Sequence, residues 1–109
     1  MKCLILVGAM ASCVVGAAAC AEDLDTVLAR FQSARQEAPP DVAVYMERHM
    51  ICWHFGGEEA YSDARKAEIA RAAAEYRCAT LQADQAALRR AYADMPVAIA
   101  ALDAAAGLR

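Results

Sequence analysis

Cys52 and Cys78 are the only cysteines after residue 21, and a bond between them would close a loop of 27 residues counting both ends. Nothing else in the sequence limits the fold as strongly. At 109 residues the chain is long enough for one domain. Hydrophobic residues make up 60% of it, but 29 of the 109 residues are alanine, so the large apolar surface available for burial is far smaller than that figure implies. A domain of this size buries only about 60 to 65% of its unfolded surface, and a covalent staple would strengthen it. The chain-entropy model gives about 3.5 kcal/mol for a loop of this length.

The pairing follows from what precedes residue 22. Lys2 supplies a positive start, an apolar run extends from Cys3 to Val15, and small residues from Gly16 to Ala21 lead to Glu22 and Asp23. This is the layout of a secretory signal, with an apolar core shorter than the about 20 residues a spanning helix needs. Residues 1–21 are expected to be a signal peptide, and residues 22–109 a single helical domain in the periplasm or cell envelope. Cys3 and Cys13 would leave with the signal. For Cys20 two cleavages compete. Ala19-Cys20-Ala21 fits ordinary signal peptidase, whereas Ala17-Ala18-Ala19-Cys20 resembles a lipobox, in which Cys20 would be acylated and would tether the domain to a membrane leaflet. Either way, an even pair remains in an oxidising compartment and reads as one disulfide. The alternative is a pair of metal thiolates, although neither cysteine belongs to a C-x-x-C motif.

Without Lys2, ten basic residues face fourteen acidic ones, and no arm of clustered Lys and Arg exists. That balance argues against nucleic acid and anionic membrane surfaces as main partners.

Apolar residues recur at helical spacing along most of the remaining chain. Leu24, Val27, Leu28, Phe31 and Ala34 mark a helix from Asp23 to about Glu37, which Pro39-Pro40 must end. Val42, Tyr45, Met46, His49, Met50 and Trp53 suggest a second helix, while Val42, Val44 and Met46 also alternate as a strand would. Gly56-Gly57 reads as a turn of positive φ or close backbone approach. Ser62 can cap a third helix, with Glu58, Glu59 and Asp63 near its positive end. Two offset stripes, Ile69-Ala73-Tyr76-Thr80 and Cys78-Leu81-Gln85-Leu88-Tyr92, predict either a bend or break around Thr80 to Asp84 or a helix that touches different neighbours along its length. Pro96 restarts a last helix through Val97, Ile99 and Leu102, with Gly107 as its stop. The expected fold is all-α, a small bundle of four or five helices with one disulfide.

The stretch His49 to Glu59 holds both histidines, the only tryptophan, Cys52 and the only glycine pair of this domain, and is the best candidate site. Trp53, His54, Phe55, Gly57 and Glu58 are its candidate binding residues. A metal or cofactor reading would use His49, His54 and Glu58, with Cys52 if reduced. A separation of five positions between the histidines is not the spacing that puts both on one helix face, so no metal or cofactor is assigned. The bland reading pairs His54 with Glu58 and packs Trp53 and Phe55 on the core near the disulfide. Arg65-Lys66 and Arg89-Arg90 read as solvated helix faces. No hydroxyl nucleophile sits in a strand-turn-helix elbow, and Glu58 and Glu59 diverge as neighbours on a helix, so no catalytic residue is assigned.

The order Cys52, His54, Phe55, Gly57, Glu58, Cys78, Leu81, Tyr92, Pro96 resembles a group of small exported proteobacterial proteins of uncharacterised role, over about residues 47 to 102. They carry Cys-x-His-Phe or Cys-x-His-Trp, then Gly-Glu, then a helix with a later Cys-x-x-Leu and a Tyr before Pro. The resemblance implies an exported helical domain and brings no activity. The expected role is therefore that of a small envelope binding or interaction protein, such as an inhibitor, an immunity-like factor or an accessory subunit, and not an enzyme.

Overall fold

The computed structural model describes residues 22–109, so the expected signal peptide and the expected acylation at Cys20 lie outside it. Asp23 starts the first helix, α1 (Leu24–Glu37), by accepting the Thr26 backbone N–H on its carboxylate at 2.8 Å. Ala38 is extended, as a residue before proline must be, and ends it. Helix α2 (Pro40–Gly56) then begins with proline in its first turn, where a missing N–H costs nothing. The strand alternative for this segment is excluded: Val42, Tyr45 and Met46 are buried on one helical face while Val44 is exposed. Ser62 caps α3 (Asp63–Glu75) by accepting the Arg65 N–H at 3.1 Å. A 3₁₀ turn (Cys78–Thr80) leads directly into α4 (Leu81–Ala91), and Pro96 opens α5 (Pro96–Ala106). Among the described residues there are five α-helices and no strand, an all-α bundle. The Cys52–Cys78 disulfide ties α2 to the 3₁₀ turn across a Cα separation of 5.6 Å.

The core forms around α5. Ala98, Ala101, Leu102, Ala104 and Ala105 are buried on it, and Leu108 follows just beyond its end. Four small side chains on the packing surface let neighbouring backbones approach, since the distance between helix axes depends on what stands at the contact. Phe31 from α1 and Val42, Tyr45 and Met46 from α2 fill the space so created. Leu81 and Leu88 of α4 and Tyr92 just past its end close the side, and the Tyr92 hydroxyl donates to Asp41 at the start of α2 at 2.7 Å.

Helix α3 is built differently. It buries no side chain, contributes nothing to the core cluster, and touches only α2 and the 3₁₀ turn. It also ends earlier than the two stripes predict. The break falls at Tyr76 and Arg77, ahead of Thr80 to Asp84, and Arg77 adopts a left-handed conformation (φ 50°, ψ 51°). That conformation is more often filled by glycine at a helix end. Here the freed carbonyls meet a donor from another helix: Arg48 of α2 gives Nε to Tyr76 O at 3.0 Å and Nη2 to Arg77 O at 3.1 Å.

The glycine pair corrects the expectation placed on it. No described glycine has positive φ, and Gly57 is helical at φ −88° and ψ −3°. A Cβ on Gly56 would meet nothing within 4 Å, and one on Gly57 would find its nearest atom, Trp53 O, at an ordinary 3.6 Å. Neither position requires glycine. We therefore expect Gly56→Ala, at the last helical position, to raise stability by about 0.5 to 1 kcal/mol through the entropy of the unfolded chain. Gly57→Val should melt close to Ala60→Val. Thermal denaturation by circular dichroism checks both, and a large loss in either glycine variant would contradict the backbone geometry.

Candidate functional site

The His49 to Glu59 stretch divides over two sides of α2. His49 and His54, five residues apart, face different neighbours, as the spacing demands. His49 lies against the end of the chain. Its Nε2 is 3.2 Å from Leu108 O, and because a carbonyl only accepts, this nitrogen carries the proton. In the neutral ring Nδ1 is then free to accept from the Tyr45 hydroxyl at 3.3 Å. Burial pushes the Tyr45 phenol above its ordinary pKa, and a hydrogen bond with Gln85 offsets part of that rise. These groups border a cavity of about 480 Å³ between α2, the start of α4 and the chain end, with Leu81, Gln82 and the disulfide's Cys78 on its other walls.

His54 belongs to a second site at the other end of α2. It is exposed, and its ring meets Phe55 edge-on at 5.4 Å between centroids. The expected His54–Glu58 pair does not form as a hydrogen bond. Arg65 of α3 takes Glu58 in a two-pronged grip, with Nε and Nη2 each 2.7 Å from a carboxylate oxygen, and adds Glu68 through Nη1 at 2.7 Å. The planar guanidinium suits such paired contacts, and its carbon also lies 5.8 Å from the Phe55 ring centroid. Arg65 holds the Glu58 carboxyl below the usual carboxylate range, chiefly through this hydrogen bonding. Arg65 is thus no solvated surface charge. Phe55 sits beside it and outside the core cluster, whereas Trp53 does pack on that cluster, so the sequence reading holds for one aromatic of the two.

Trp53, His54, Gly57, Glu58 and Arg65 together line an open hollow of about 470 Å³ at the α2–α3 corner. The loop that closes this corner carries Tyr61, which is 85% exposed. Four of the five candidate binding residues therefore share one surface, and Phe55 supports it from behind Arg65. Sequence reasoning missed Arg65 and Tyr61; a Glu seven residues ahead of an Arg across a helix start was the available signal.

The structure does not bring His49, His54 and Glu58 together as a set of ligands. His49 is engaged with Tyr45 and Leu108, Glu58 with Arg65, and Cys52 is in the disulfide. Among the described residues no group of three or more His, Cys, Asp or Glu side chains is placed to hold a metal ion.

A third cluster, also missed, has a structural character. Beyond its two carbonyl contacts, Arg48 Nη2 reaches Asp84 Oδ2 at 3.0 Å, and the Thr80 hydroxyl donates to the same oxygen at 2.9 Å. Arg48 is only 9% exposed, the one charged residue in the buried set. No family model matches the chain, and no curated protein or solved structure matches it either.

Proposed function

We propose that this chain is a small exported binding protein of the bacterial envelope whose recognition surface is the α2–α3 corner. The observation that carries the reading is the corner's construction: Arg65 clamps Glu58 in the link between two helices, so the hollow is held in shape while Trp53 and His54 line it and Tyr61, on the same link, stands exposed. Tyrosine, tryptophan and arginine are the side chains that most often dominate the energy of protein interfaces, and surfaces fixed before binding lose less entropy on association. The Cys52–Cys78 bond supports an oxidising compartment, in keeping with the signal-like leader. The role is an inhibitor, immunity-like or accessory one, carried out by binding without catalysis, and acylation at Cys20 would place it at a membrane leaflet.

The test is capture of an envelope partner by the tagged mature domain, followed by titration of that partner against variants. Tyr61→Ala and His54→Ala should each melt within about 0.5 kcal/mol of the parent, as exposed positions do, and weaken binding by about tenfold or more. A partner that binds both variants as tightly as the parent would place recognition elsewhere on the molecule.

A further inference from the structure

Helix α3 is attached to the bundle by very little. None of the ten buried core residues, and none of the apolar side chains packed against them, comes from it. Its neighbours are α2 and the 3₁₀ turn alone. Three attachments hold it there. At its front, Arg65 grips Glu58, with both side chains about a quarter exposed. Behind its last turn, Arg48 holds the carbonyls of Tyr76 and Arg77. One residue further on, the disulfide bonds Cys78 to Cys52 of α2. Only the last is covalent, and it fixes the backbone that presents both carbonyls to Arg48. The left-handed Arg77 between them is a conformation that non-glycine residues resist, and release would relax it.

We propose that Cys52–Cys78 is a redox latch on α3: its reduction lets the segment from Asp63 to Arg77 leave α2 while the bundle of α1, α2, α4 and α5 stays folded. The reductant is a dithiol. One of its thiolates attacks a sulfur of the bridge, the other cysteine leaves as a thiolate and takes up a proton, and the second thiol of the reductant displaces the mixed disulfide. The protein gains two electrons and two protons as two thiols, and the dithiol becomes a disulfide. Regions with few buried apolar contacts open at free energies well below the global one, and α3 is the described helix with the fewest such contacts to the core. Release would uncover Phe55, now beneath Arg65, and leave Cys52 on α2 and Cys78 in the 3₁₀ turn as free thiols.

The experiment is amide hydrogen exchange on the mature domain, oxidised and after treatment with dithiothreitol, and on a Cys52→Ala/Cys78→Ala variant without reductant. In the reduced protein and in the variant, amides of residues 63–77 should exchange at least about tenfold faster than in the oxidised protein and approach the rates of an unfolded chain, while those of residues 98–106 remain at least about a hundredfold slower than unfolded. Equal protection of α3 in both redox states would overturn the latch. So would loss of protection in α3 and α5 together, because the bridge would then support the whole fold. Because the readout requires no binding partner, its failure would leave the recognition surface at the α2–α3 corner untouched.

Discussion

Leu102→Ala should destabilise the domain by about 3 kcal/mol, within the 2 to 5 kcal/mol range of buried leucine truncations. Leu102 is fully buried at the centre of α5, where α1 and α2 converge, and the buried neighbours on its helix, Ala98, Ala101 and Ala105, are too small to expand into the space left behind. The cost should therefore lie in the body of that range and not at its floor. For a domain of under a hundred residues each kcal/mol moves the melting temperature by about 4 to 8 °C, so a drop of more than about 12 °C is expected. Leu24→Ala on α1, 52% exposed, is the control and should stay within about 0.5 kcal/mol. A Leu102 variant that melts like the Leu24 variant would show that α5 is not the centre of the bundle.

The second large effect concerns Arg48, whose loss leaves the Tyr76 carbonyl without a donor and takes one hydrogen bond each from Arg77 O and Asp84, which Thr80 still contacts. Arg48→Ala should cost about 2 to 3 kcal/mol near pH 7, combining charge-assisted hydrogen bonds with the packing of a nearly buried side-chain stem. Arg48→Lys should rescue little, because a single ammonium cannot reproduce the planar spread of donors across three acceptors. The penalty should also depend on pH. The Thr80 hydroxyl first and the Arg48 guanidinium second hold the Asp84 carboxyl below its ordinary value of 3.8. A depressed carboxyl pKa stabilises the fold above the unfolded value and loses that contribution as pH falls through the folded one. The gap between parent and Arg48→Ala should thus narrow below about pH 4, measured by urea denaturation across a pH series. An identical gap at pH 7 and about pH 2.5 would remove Asp84 from the cluster.

Much of the helical framework was legible because its signals are local. Proline at residues 40 and 96, Ser62 as a cap and the three-and-four spacing of α1 each act within one or two turns. The disulfide was legible too, as the one pairing open to two cysteines. The misplaced break shows where such reading ends. Ala72 to Cys78 is good helix-forming sequence, and nothing within it says that an arginine nearly thirty residues earlier will satisfy the carbonyls left by stopping at Tyr76. The glycine pair misled for the converse reason, since glycine permits positive φ without demanding it. At the candidate site, clustering of rare residue types picked out a stretch whose residues Trp53, His54, Gly57 and Glu58 share one hollow. It could not tell that His49 and His54 would serve different surfaces, nor that Glu58 would choose Arg65 over the nearer histidine.

The position of α5 in the chain also has a bearing on how fast the fold can form. Six of the ten buried core residues, Ala98, Ala101, Leu102, Ala104, Ala105 and Leu108, come after residue 95, whereas Phe31, Val42, Tyr45 and Met46 come before residue 47. The contacts that complete the core therefore join segments far apart in sequence, and bringing them together costs the closure entropy of the chain between. That raises the contact order above what five short helices alone would suggest, and slows folding accordingly.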